Sequence, residues 1–140
     1  MKKIVSILLI FVLIIMLLII FSCGSKPQVE NLPDLSDVNY VRLSLKMDFD
    51  SLGHQKIKTI EVSDSKNILD LKNTISPEPF QYLYCTSSGM MDFYKDSSLV
   101  LSVVFNTEQG QRHIAFNRNG KLTAIKLADE NAKFLDSFKN

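Results

Sequence analysis

The stretch NYVRLSLKMDFD, residues 39–50, decides the fold. In it Val41, Leu43, Leu45, Met47 and Phe49 alternate with Arg42, Ser44, Lys46, Asp48 and Asp50. Successive side chains of a strand point to opposite faces, so an apolar residue at every second place marks a strand with one buried and one wet face. The turn-forming SLGHQ follows, and KIKTIEV at residues 56–62 supplies a second strand that pairs back on the first as a hairpin.

Beyond this hairpin the period changes. Ser63 or Asp64 is placed to cap a helix in which Ile68, Leu71 and Ile75 share one face and Leu69 widens the stripe. SPEP, residues 76–79, ends that helix, since Pro77 and Pro79 cannot continue it. Five short strands are then expected: FQYLYCT, MMDFYK, LVLSVVFN, RHIAFN and KLTAIKL. Their connections SSG, DS, TEQGQ and RNG carry the residues tight turns require. The closing segment ADENAKFLDSFKN reads as a helix with Asn131, Phe134, Leu135 and Phe138 on one side. The expected fold is therefore one α+β domain, residues 38–140, in the order β-β-α-β-β-β-β-β-α. Both helices are expected on one face of a curved antiparallel sheet.

The first part of the chain differs in kind. Met1, Lys2 and Lys3 form a positive end, residues 4–21 contain only Ser6 as a polar residue, and Ser22 and Cys23 close the run. This is the three-part layout of an export signal. The sequence IFSC at residues 20–23 resembles the lipobox of bacterial lipoproteins, with Ile20, Ser22 and Cys23 at the matching places. The resemblance implies that residues 1–22 are a signal peptide. It implies that the Cys23 thiol carries diacylglycerol, and that the protein is held on the extracytoplasmic side of a bacterial cell membrane or outer membrane. The alternative is an uncleaved single-pass anchor, for 18 residues of helix rise about 27 Å and nearly cross a bilayer core. In either case residues 23–37, rich in Gly, Pro, Ser and charge, read as a flexible tether.

Charge and composition narrow the partners. The formal charge of +1 includes Lys2 and Lys3, and the other charges are scattered rather than blocked. Such a surface has no electrostatic footprint for nucleic acid. With Cys23 lipidated, Cys85 is the only free thiol and is expected as a small buried residue.

Candidate sites are few. DFDSLG, residues 48–53, copies the first, third and sixth positions of a calcium loop, but Leu52 stands where an oxygen ligand is needed and Thr59 where a bidentate Glu should close the shell. Asp48 and Asp50 are read instead as wet residues at a strand end. His54 falls in a turn, and His113, opposite in parity to Ile114 and Phe116, is expected on the solvent side. A nucleophilic triad of Cys85, His113 and Asp92 is conceivable, though Cys85 lies in a strand rather than at an activating helix terminus. No metal site, cofactor site or catalytic residue is assigned. The aromatic strands carry apolar residues on both faces, and the surplus suggests a recognition patch of Tyr82, Tyr84, Met91 and Phe93. The functional expectation is a membrane-tethered binding or accessory module that presents a sheet face to an envelope protein. A small envelope hydrolase using His113 or Asp92 is the rival.

Overall fold

The computed structural model describes residues 32–81 and 86–140. The elements run β1 (Tyr40–Phe49), β2 (Gln55–Val62), α1 (Ser65–Asn73), β3 (Gly89–Lys95), β4 (Ser98–Asn106), β5 (His113–Arg118), β6 (Lys121–Lys126) and α2 (Asp129–Ser137). Among the described residues the strands form one open sheet in the order β2-β1-β3-β4-β5-β6, every neighbouring pair antiparallel. The α+β class is as expected.

The register explains the core. Leu43 of β1 stands between Ile60 of β2 and Met91 of β3, and Met91 stands opposite Val103 of β4. One parity of each strand thus lines up into a continuous face containing Val41, Leu43, Leu45, Met91, Phe93, Leu101, Val103, Phe105, Ile114 and Ile125. Ile68 and Leu71 of α1 and Ala132 and Leu135 of α2 are buried in the same cluster. Both helices thereby shield one face, and the other parity is left outward.

Local chemistry sets the boundaries. The Asp64 side chain accepts a hydrogen bond from the Asn67 N–H at 2.9 Å and caps α1. The helix stops before the prolines, where the Thr74 hydroxyl donates to the Leu71 carbonyl. Leu69 does not widen the buried stripe: it is exposed, because α1 lies on the sheet along the Ile68–Leu71 line. The β3–β4 hairpin turns at Asp96, whose φ of 54° is left-handed, and Asn39 clasps it with two reciprocal 2.9 Å hydrogen bonds. The β5–β6 turn uses Asn119 and Gly120 with φ of 50° and 76°, the residue types such turns favour.

Two expectations are corrected. A strand over FQYLYCT is not found at either described end: Pro79 forms a single bridge with Ile125, and Thr86 and Ser87 are irregular. Residues 82–85 lie outside the described residues. The N-terminal hairpin joins the rest of the sheet edgewise through β1 and β3. The far end of the expected tether belongs to the domain, since Leu32 and Leu35 pack against the core and Val38 is buried in it. Three apolar residues at intervals of three outweigh the polar composition around them. The Lys72 amine donates to the Ser36 carbonyl at 3.0 Å, and Lys95 pairs with Asp37 at 2.6 Å. The expected signal segment, Cys23 and the expected tether as far as residue 31 lie outside the described residues.

Candidate functional site

The outward face of the sheet collects the second parity of each strand. Arg42, Ser44 and Lys46 come from β1, Met90, Asp92 and Tyr94 from β3, and Ser102 and Val104 from β4. Strand pairing puts Met90, 37% exposed, directly opposite Val104, 40% exposed, with Leu99 opposite Tyr94. Phe93 pairs with Leu101 and Tyr94 with Leu99, so Val100 is a bulge residue and it too is exposed.

At the β1 end of this face a small aromatic and cationic group forms. The Tyr40 and Tyr94 rings lie 5.5 Å apart at 56°, and the Arg42 guanidinium sits 5.5 Å above the Tyr94 ring. Arg42 also reaches Glu61 of β2 at 3.9 Å. A hydrogen bond with Glu61 raises the Tyr40 hydroxyl above the ordinary tyrosine range, and the bond to Tyr40 raises Arg42. Both groups are therefore held in their protonated forms. Next to them the Ser102 hydroxyl donates to Asp92 at 2.6 Å. Tyr, Arg and Met are side chains enriched at protein interfaces.

Two members of the expected patch are not at the surface. Met91 and Phe93 are completely buried, so they are core and not recognition surface. Their pairing with Leu43 and Val41 turns that parity of β3 inward. Met90 and Tyr94 hold the outward parity. Tyr82, Tyr84 and Cys85 lie outside the described residues.

His113 is corrected in a different way. Its parity does place it on the outward face, but it is only 2% exposed. The Phe80 ring stacks on it at 5.4 Å and 8°, because residues 78–80 run beside β6, with Phe80 N–H bonded to the Ala124 carbonyl. His113 Nδ1 lies 2.7 Å from the Gln111 carbonyl, and a carbonyl can only accept, so Nδ1 carries the hydrogen. Asp92 stands opposite Ser102 and His113 opposite Asn106. That offset of four residues along β4 is roughly 13 Å, with a further strand spacing on either side. A triad joining Asp92 to His113 is therefore not assembled.

The acidic loop has a structural task. Asp50 accepts hydrogen bonds from the N–H groups of Leu52 and His54 at 2.8 and 2.9 Å, and Gly53 takes φ of 80° to close the turn. The His54 N–H contributes most to holding the Asp50 carboxyl below the ordinary range. His54 Nδ1 lies 3.4 Å from the other carboxylate oxygen. Among the described residues no group of three or more His, Cys, Asp and Glu side chains is placed to hold a metal ion.

A groove of about 600 Å³ opens at the hairpin end of the sheet, between Met47, Phe49, Ser88, Thr107 and the end of α2. Its floor is a bonded chain. The Thr107 N–H donates to Ser88 Oγ at 2.9 Å, and the Thr107 hydroxyl donates to Asp136 at 2.8 Å, where Lys139 also binds at 2.6 Å. Ser88, Thr107, Asp136 and Lys139 are thus partnered with one another, which gives the chain a structural role in joining β4 to α2.

The open face is only partly legible in the sequence. Parity separates Met90 from Met91, but which of the two is buried depends on the neighbouring strands. Tyr40 and Arg42 carry no signal of their own, since their link to Tyr94 arises from the β1–β3 pairing across 52 residues of chain. Among the described residues no helix is long and apolar enough to cross a membrane. In comparisons with known proteins, no family model, curated protein or solved structure matches this chain, so its function is read from the geometry of the open face.

Proposed function

We propose that this chain is a lipid-anchored envelope lipoprotein whose folded domain is a binding or accessory module, with the outward sheet face as its contact surface for an envelope protein. The observation that carries the reading is the face itself: Met90 and Val104 are exposed as a cross-strand pair, and Leu99 is exposed further along the same face beside Tyr94, near Tyr40 and Arg42, with the Asp92–Ser102 pair between the two groups. A sheet covered by helices on one side needs only one apolar face, so apolar side chains on the other side are in surplus for folding. The lipobox resemblance at Ile20, Ser22 and Cys23 supports the location, with Cys23 as the lipid attachment residue.

Two measurements test the two halves separately. Intact mass of protein purified from membranes should show a diacylglyceryl-modified chain beginning at Cys23, whereas an unmodified chain beginning at Met1 replaces the lipoprotein with a single-pass anchor. Photocrosslinking from position 90 or 104 in intact cells should trap one defined envelope protein. Tyr94→Ala and Val104→Asp should reduce the trapped species at least tenfold without lowering the melting temperature by more than a few degrees. An unchanged pattern in these folded variants removes the open face from recognition.

A further inference from the structure

The two edges of the sheet are treated differently by the fold. Beyond β6 the chain covers its own edge at Ala124–Lys126, for the Phe80 N–H donates to the Ala124 carbonyl and the Lys126 N–H to the Glu78 carbonyl. Beyond β2 there is no such cover among the described residues. Val41, Leu43 and Leu45 of β1 stand opposite Val62, Ile60 and Lys58. The Lys46 N–H bonds to the Ser88 carbonyl on the other side of β1, so the even residues of β1 face β3 and the odd ones face β2. In an antiparallel ladder this makes Lys58, Ile60 and Val62 the bonded partners of β1 and turns the N–H and C=O groups of Ile57, Thr59 and Glu61 outward. Such a row of backbone donors and acceptors is complementary to one thing, another extended strand.

We propose that the free β2 edge is the pairing site for a second copy of this chain, joined antiparallel across a two-fold axis at Thr59. The charge pattern of β2 selects both the occupant and the register. With Thr59 opposite Thr59 of the second copy, Ile57 meets Glu61, Lys58 meets Ile60 and Lys56 meets Val62, so no like charges stand opposite one another. Lys56 then lies diagonally across from Asp64 of the second copy, within reach for a long side chain. A slip one way puts Lys58 opposite Lys58, and a further slip puts Lys56 opposite Lys58. A large slip the other way puts Glu61 opposite Glu61. Directly opposed like charges destabilise a sheet pair. The one remaining register centres on Ile60 and runs the ladder through Ser63 and Asp64, where the chain has left the strand and Asp64 is capping α1. Lys56 and Lys58 thus act as guards against misaligned pairing while leaving one alignment open. The pairing is isologous and closes at two copies, since the two-fold axis uses the β2 edge of each chain against itself. It leaves the Met90 and Val104 face free.

The test uses the full-length chain in its own membranes, with Cys85→Ser as background and Cys23 retained. Thr59→Cys should give a disulfide-linked dimer on mild copper-phenanthroline oxidation. Opposed Cα atoms in a bonded antiparallel pair lie about 5.5 Å apart, inside the range a disulfide spans. Ile57→Cys and Glu61→Cys should crosslink when combined and stay at background when separate. Thr59→Pro should abolish the crosslink of that combined variant. It should leave the melting temperature within a few degrees, because the Thr59 N–H points out of the sheet and proline is tolerated at such an edge. Thr59→Cys at the level of the Cys85→Ser background overturns the proposal. Stronger dimer from Lys58→Cys or Ile60→Cys overturns it equally, as does a Thr59→Cys variant that crosslinks to a different protein.

Discussion

Gly89 opens β3 in the middle of the sheet, and replacing it with alanine is a sharp test of the packing described here. Its backbone is not in the left-handed region, so conformational freedom is not what requires glycine. Space is. A Cβ at this position would lie 2.6 Å from the Ser44 carbonyl oxygen on β1, and 2.7 Å from Cζ of Phe105 on β4. Phe105 is completely buried and stands opposite Gly89 in the register, so its ring occupies the place a side chain would take. The ring can shift only into a filled core, and the Ser44 carbonyl is held by the ladder. Overpacking of this kind costs about 1–3 kcal/mol, and obstruction on both sides puts Gly89→Ala at the upper end. For a domain of this size roughly 3 kcal/mol corresponds to a fall in melting temperature of about 10–20 °C. Urea denaturation and thermal melts followed by circular dichroism measure it. Gly89→Ala combined with Phe105→Leu should recover part of the loss, since one obstruction goes and the Ser44 carbonyl stays. Gly53→Ala is the contrast: its φ of 80° disfavours alanine, but nothing lies within 4 Å, and its cost should be about 1 kcal/mol. A Gly89→Ala protein as stable as the parent, or less affected than Gly53→Ala, refutes the reasoning that glycine is there for the Phe105 ring.

Leu135→Ala should destabilise by about 2–5 kcal/mol in urea melts, because that side chain is fully buried between α2 and the sheet, whereas Leu69→Ala on the exposed side of α1 should stay within about 0.5 kcal/mol. Asp50 has a folded pKa below its ordinary value, so the support it gives the β1–β2 turn is present above the unfolded carboxyl pKa of about 3.9 and is lost as pH falls through the lower folded value. A carboxyl carbon NMR titration should place its midpoint below about 3.9, the ordinary value. A midpoint at or above that value means the N–H groups of Leu52 and His54 do not hold the carboxylate in solution. Removing residues 1–31 should leave the melting temperature of the domain nearly unchanged. Removing residues 1–37 should lower it by several degrees through loss of Leu32 and Leu35 from the core, and equal melts for the two chains would show that this contact is dispensable.

Much of the secondary structure follows from local patterns. The period of two in residues 40–49 needs no knowledge of neighbours, since alternation follows from the geometry of a single strand. Asp64 as a helix cap, Asp96 at one hairpin and Asn119–Gly120 at another are similarly local, because caps and tight turns are satisfied within a few residues. Decisions that depend on what lies across the sheet are of a different kind. Met90 and Met91 are adjacent and chemically identical, and only the pairing of Met91 with Leu43 and Val103 makes one core and the other surface. His113 has the parity of a solvent residue and is buried, because the Phe80 ring is brought onto it from a distant part of the chain. Gly89 reads as a turn residue beside two serines, yet it is a strand residue kept small by Phe105. Leu32 and Leu35 read as part of a polar tether until the core is seen to accept them. Sequence alone determines which backbone conformation each segment favours and how its two faces differ. Tertiary structure decides which face is covered, because burial is a property of the neighbour that arrives, and that neighbour is set by strand order across the whole sheet.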